Sequence, residues 1–267
     1  NRVLMSGDPD YVNRLNLVGS ASLVRAWLEG DWSAIEGAFF DKWSKANIVA
    51  PFPVPADWLR FRSFDWGSAK PFSVGWWAIA GDDTRVDGGI IPRGAMVRYR
   101  EWYGASGPDK GLKLTTESVA IGIAERDAGD NIAYSVADPA IFAEDGGPPR
   151  SEIFGRHGVY FRPADNRRVA RSGAIGGWDE MRQRMAGSSG VPMLYVFDTC
   201  RDFIRTVPVL QHDRMRAEDL DTASEDHIAD EARYACMSRP WVPALSKPAT
   251  PARDYVSRKP SGNDIVI

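Results

Sequence analysis

Arg62-Ser63-Phe64-Asp65-Trp66-Gly67 is the stretch on which the reading of this chain turns. It closes a strand-like run, residues 58–66, on a carboxylate and passes at once to a glycine. A second stretch, Ala133-Tyr134-Ser135-Val136-Ala137-Asp138-Pro139, ends another apolar run in the same way. Asp-x-Gly and Asp-Pro are both ordinary turn chemistry, so neither aspartate decides anything alone. The third stretch is Glu225-Asp226-His227-Ile228-Ala229-Asp230-Glu231-Ala232-Arg233-Tyr234, whose spacing is helical. Asp226 and Asp230 are four apart, and His227 and Asp230 three, so a helix turns all three towards one side. A helix dipole favours acids at the amino end, which accounts well for Asp226. It accounts poorly for Asp230, which the pattern sets two turns in.

Outward from these stretches, residues 58–66, 72–80, 95–102, 131–137 and 191–197 read as strands. Residues 95–102 alternate, with Ala95, Val97 and Tyr99 on one face and Met96, Arg98, Arg100 and Trp102 on the other. A half-buried strand with an arginine-bearing outer face follows from that period of two. Residues 112–128 read as a helix closed by Gly129. Residues 172–186 read as another, with Ile175, Trp178, Met181 and Met185 on a core-facing stripe, and 201–206 as a short one. Thr222-Ala223-Ser224-Glu225 fits a capping box opening the last helix. The Gly, Pro and Arg content of residues 146–170 predicts a long loop. The order is three strands, helix, strand, helix, strand, helix, which is the order of an RNase H-like α/β fold with a mixed central sheet flanked by helices. Residues 1–55 read as a mostly helical lead-in, with an extended connector at 48–56. Residues 56–240 then form the sheet domain, and 241–267 a Pro-rich polar tail of disordered composition.

With 43% hydrophobic residues, the 267-residue chain can build the core of one large domain. No apolar run approaches the roughly 20 residues of a membrane span, and no signal peptide is visible. Cys200 and Cys236 read as free thiols of a reducing cytoplasm. A net charge of −3 gives nucleic-acid binding no global support. Residues 150–184 nevertheless hold eight arginines against four acids, a local balance of +4 that suits a solvated face or a phosphate track equally. There is no Gly-x-x-x-x-Gly-Lys-Ser/Thr loop and no Gly-x-Ser-x-Gly elbow. His157, His212 and His227 with two distant cysteines do not make a zinc site.

Carboxylates at two strand ends and on a late helix can converge on hard divalent cations, which prefer oxygen ligands. Two such ions about 4 Å apart clamp the attacking and leaving oxygens of a phosphodiester. Arg98 and Arg100, with Arg162, Arg167, Arg168 and Arg171 of the arginine-rich segment, are the candidate contacts to DNA phosphates.

Four stretches carry a family resemblance. Leu28-Glu29-Gly30-Asp31-Trp32 with Gly37-Ala38-Phe39-Phe40 resembles the segment that leaves the ATPase domain of the large terminase subunit of tailed bacteriophages and prophages. Arg62-Ser63-Phe64-Asp65-Trp66-Gly67, followed by Pro71-Phe72-Ser73-Val74, resembles the first strand of that family's nuclease domain. Val136-Ala137-Asp138-Pro139 resembles its second metal-ligand strand, and residues 222–234 its closing Asp-His motif. The resemblance covers about residues 28–235, and the closing motif is its most specific part. It implies a metal-dependent DNA endonuclease that cuts concatemeric viral DNA during genome packaging. Asp65, Asp138 and Asp230 would be metal ligands, with Asp65 bridging two divalent ions, Mg²⁺ or Mn²⁺. His227 would be a ligand or proton donor, and Asp226 an outer or alternative ligand. The implied partners are double-stranded DNA, an ATPase domain, a small terminase subunit and the portal protein, in the cytoplasm of a bacterial host. The family's packaging ATPase has no counterpart in this sequence. Glu231 also stands where the family commonly has alanine, a charge expected either in solvent or disturbing the metal site. Two other readings remain: a different RNase H-like nuclease of resolvase or transposase type, or a non-catalytic DNA-gripping or motor-docking module.

Overall fold

A computed structural model describes residues 37–144 and 146–241. Its centre is a seven-stranded mixed sheet in the order β1-β11-β6-β3-β2-β9-β10. These strands are β1 (Ile48–Val49), β2 (Leu59–Asp65), β3 (Ser73–Ile79), β6 (Met96–Tyr103), β9 (Ile132–Ala137), β10 (Arg162–Pro163) and β11 (Leu194–Phe197). β3 runs antiparallel to both β2 and β6, and the remaining pairs are parallel. The run β6-β3-β2-β9-β10 is the RNase H-like arrangement, extended past β6 by β11 and β1. Two small hairpins, β4–β5 (Thr84–Val86, Gly89–Ile91) and β7–β8 (Ala105–Gly107, Lys110–Gly111), project from it.

Both faces of the sheet are covered. On one, α3 (Gly177–Ala186) and α5 (His227–Ser238) bury Trp178, Met181, Met185, Ile228, Ala232 and Cys236 against Phe61, Trp77 and Val97. On the other, α1 (Thr116–Asp127) and α2 (Arg150–Arg156) bury Val119, Ala120, Ile123 and Phe154 against Phe64, Val74 and Trp76. A short α4 (Arg201–Thr206) follows β11 and adds Phe203 to the first core. Among the described residues no helix is long and apolar enough to cross a membrane.

Several elements depart from the sequence reading. The first helix starts at Thr116 rather than residue 112, because the Thr115 hydroxyl caps it by accepting from the Ser118 amide at 3.2 Å. Leu112 is drawn away instead, its amide donating to the Gly104 carbonyl. The third helix starts at Gly177, five residues later than the stripe suggested. The segment taken as a long loop contains α2, launched from Pro149, and the edge strand β10. Its Phe154 and Phe161 pack on Phe64 at ring separations of 5.2 and 5.3 Å. Residues 37–55, set by sequence in the lead-in, share the main core. Phe39 and Phe40 meet Trp178 edge-on, and β1 pairs with β11. The helical spacing of residues 21–30 and the tail at 242–267 lie outside the described residues.

Candidate active site

Period-two alternation places the two strand-end aspartates. On β2, Arg62 and Phe64 face α1 and α2, where Arg62 pairs with Asp127 at 2.9 Å. Phe61 and Ser63 face α5, so Asp65 does too. On β9, Ser135 and Ala137 face the α1 side, while Tyr134 stacks on Phe61 at 4.9 Å and Val136 packs with Tyr234 of α5. Asp138 continues that α5-facing row. The parallel register pairs Phe64 with Ala137, and the Asp138 amide donates to the Phe64 carbonyl at 3.1 Å. Asp65 and Asp138 therefore stand side by side at the carboxyl ends of neighbouring strands. Asp138 also does the turn work its Asp-Pro context suggests, its Oδ1 accepting from the Ala140 amide at 2.9 Å.

The third stretch arrives through the amino end of α5. The helix begins at His227, with Asp226 at the cap position and no side-chain cap bond. The expected capping box does not form, because Glu225 is taken up by Arg205 of α4 and by the Tyr103 hydroxyl, each at 2.9 Å. Asp230 consequently sits in the first helical turn, where the helix dipole favours it as much as it favours Asp226. The His227 ring lies between two acids, Nδ1 at 3.4 Å from Asp65 and Nε2 at 3.4 Å from Asp109 in the β7–β8 turn.

The electrostatics follow from crowding acids in a half-closed place. Asp65 is only 6% exposed. Burial above all, with the Asp230 and Asp138 charges adding to it and His227 relieving part of it, pushes its pKa up to about 7. Burial, then the Asp230 charge, lifts Asp226 to about 6. Burial works against a charged His227 ring, but the hydrogen bond and charge of Asp65 outweigh it and its pKa is raised. Asp230 is gripped from two sides. Arg233 reaches its Oδ1 with Nε at 3.1 Å and a terminal nitrogen at 2.7 Å, and Arg168 lies 3.4 Å from its Oδ2. All-oxygen donors with one imidazole suit a hard or borderline divalent cation. Among the described residues, however, no three His, Cys, Asp or Glu side chains form a ready metal cage. The donor chemistry fits a cation, while the present spacing leaves guanidinium groups as the counter-charge.

No protein-family model matches the sequence, and no curated protein matches it. Solved structures do. The large terminase nuclease domain of phage P22 superposes with a TM-score of 0.55 at 19% identity, covering 76% of this chain and 93% of that one. The fold is that of a large terminase nuclease domain. The large terminase of a thermophilic bacteriophage, in complex with ATP-gamma-S, matches at TM-score 0.57 and 15% identity over 87% of this chain. Another crystal form of it matches at TM-score 0.55 and 15% identity over 75% of this chain. This chain spans 53% and 44% of those two, about half the length of the whole terminase.

Within the terminase nuclease fold, the arginines sort differently from the sequence reading. Arg98 is fully buried and pairs with the equally buried Glu231 at 2.5 Å, so it has no access to DNA. A bulge in β6 then parts it from Arg100: Trp77 pairs with Arg98 but Trp76 pairs with Arg100, leaving Tyr99 over. The two arginines therefore point to opposite faces, each covered by helices. Arg100 is spent largely on Asp130, 2.9 Å away, and on the face of Trp76. Arg162, Arg167 and Arg171 are exposed, with Arg162 4.2 Å over Tyr134 and Arg167 closed on Asp165 at 2.5 Å. Arg168 is instead at the acids. Glu231 is neither in solvent nor among those acids. It is the buried acceptor for Arg98, Trp77, Ser73 and Ser63. Asp109 and Asp219 escaped the sequence reading, which gave Arg233 of the closing motif no role. Asp109 sits in a Pro-Asp turn with φ 52°, an ordinary place for aspartate, and only the fold brings it to His227.

Proposed function

We propose that this chain is the nuclease part of a phage or prophage terminase large subunit, a divalent-metal-dependent endonuclease that cuts concatemeric viral DNA during packaging in the host cytoplasm. One observation carries the reading: Asp65 and Asp138 end neighbouring parallel strands on the same sheet face, and the first turn of α5 sets His227 3.4 Å from Asp65 with Asp230 close enough for its charge to raise the Asp65 pKa. Asp65, Asp138 and Asp230 would hold two Mg²⁺ or Mn²⁺ ions, with Asp226 as an outer or alternative ligand. When bound, such ions supply an activated water and charge neutralisation at the departing oxygen. The chain's own contribution is placement. His227, held between Asp65 and Asp109, is oriented either as an additional ligand or as proton donor to the leaving oxygen. Arg162, Arg167 and Arg171 are free of the core to meet phosphates of double-stranded DNA. An ATPase domain, a small terminase subunit and a portal protein complete the machine in this reading.

The arginine pairs on Asp230 favour a second reading, a DNA-gripping or motor-docking module with vestigial acids. Supercoiled plasmid separates the two. Purified protein with Mn²⁺ or Mg²⁺ should yield nicked and linear DNA, and EDTA should stop it. Binding without cutting under every metal condition would leave the docking module, and full cutting in EDTA would remove the metal-dependent reading.

A further inference from the structure

Arg168 was expected on a DNA track, and the structure gives it a different position. Its Nε is 2.9 Å from Asp219, one terminal nitrogen is 3.4 Å from Asp230 Oδ2, and the other is 4.0 Å from Asp226. The guanidinium lies 5.0 Å from the Trp178 ring centroid, and Trp178 donates to the same Asp219 oxygen at 2.8 Å. Arg168 is thus anchored at one end by Asp219 and Trp178, while its outer nitrogens face the two acids of the α5 turn. The anchored contact is short and the contacts to the acids are long. Arg233, by contrast, holds the other Asp230 oxygen at 2.7 Å and belongs to the same helix.

From this geometry we propose that Arg168 is a built-in counter-cation that competes with the divalent ion for Asp230 and Asp226 and keeps the affinity of the DNA-free site low. The proposal rests on the nuclease reading, because it needs a cation to compete with. A delocalised, weakly hydrated guanidinium suits this work: its planar fork sets one positive charge between two carboxylates at once. A carboxylate whose oxygens already face guanidinium groups must give up one of those contacts to bind a metal. Arg168 is the one to yield, since its contacts to Asp230 and Asp226 are the longer ones. Its partly exposed position also allows the released group to turn to a phosphate.

Isothermal titration of Mn²⁺ into DNA-free protein tests this without reference to cutting. Arg168→Gln should bind Mn²⁺ about tenfold tighter than wild type, the equivalent of about 1.4 kcal/mol. Arg168→Lys, which keeps the charge and loses the fork, should fall between the two and serves if the glutamine variant folds poorly. Asp65→Asn should abolish the signal in both backgrounds. Equal or weaker Mn²⁺ binding by Arg168→Gln and Arg168→Lys would overturn the role of Arg168 and leave the nuclease reading standing. Absence of any Mn²⁺ binding that depends on Asp65, in wild type and variants alike, would remove the nuclease reading and this inference together.

Discussion

Removing the Glu231 carboxylate should unfold this domain more readily than any change at the candidate site. Glu231 and Arg98 are both 0% exposed, with 2.5 Å between them. The same carboxylate accepts from Trp77 Nε1 at 3.0 Å, from the Ser73 hydroxyl at 3.1 Å, and from Ser63. Glu231→Ala would leave Arg98 with the 3.4 Å contact to Glu101 as its nearest carboxylate, plus the faces of Trp77 and Phe203. Breaking a buried pair from one side typically costs about 3–5 kcal/mol, because the remaining charge stays buried. Each orphaned neutral donor adds about 1–3 kcal/mol, offset where water enters the vacated space. Where water satisfies the orphaned neutral donors, the broken pair alone sets a net loss of about 4 kcal/mol. In a domain of this size that is a fall in melting temperature on the order of 8–16 °C. Urea unfolding followed by tryptophan fluorescence measures it directly. The double variant Arg98→Met, Glu231→Leu should lose less than Glu231→Ala alone, since apolar groups of similar size replace buried ion pairs at little cost. A loss below about 1 kcal/mol for Glu231→Ala, well under the range for a broken buried pair, would refute this account of the core.

Asp65→Asn should stabilise the metal-free protein at pH 8 and leave it nearly unchanged at pH 4. Burial raises the Asp65 pKa from 3.8 to about 7, so wild type loses stability as pH climbs between those values, and the asparagine does not; paired thermal melts at the two pH values check it. Asp138→Ala and Asp230→Ala should each remove most plasmid nicking while circular dichroism stays native, and wild-type cutting by Asp138→Ala would withdraw that ligand. Replacing Arg162, Arg167 and Arg171 with alanine should weaken DNA binding and flatten its salt dependence by about one unit of slope per lost phosphate contact. Fluorescence anisotropy across a salt series reads this, and an unchanged slope would place the DNA track elsewhere.

The elements that position the site were legible because each is long enough to show its period. β2 and β9 are apolar runs that stop on an aspartate, and α5 carries acids and a histidine at helical spacing. What escaped was set by tertiary contact. β10 is two residues long and shows no alternation. Arg98 reads as a surface charge because its partner Glu231 lies 133 residues away, and as sharing a face with Arg100 because a bulge is invisible in sequence. Glu225 looks like a capping residue until Arg205 claims it. Arg168 carries the same adjacent-arginine signature as Arg167, yet one reaches the acids and the other closes on Asp165 in solvent.

The central claim is that Asp65, Asp138 and Asp230 converge on divalent cations. Anomalous diffraction from crystals soaked in Mn²⁺ tests it most directly. The account predicts peaks within ligand distance of the Asp65, Asp138 and Asp230 carboxylates, about 2.0–2.6 Å for hard cations on oxygen, with Arg168 withdrawn from Asp230. Peaks only elsewhere, with both arginines still closed on Asp230, would contradict it.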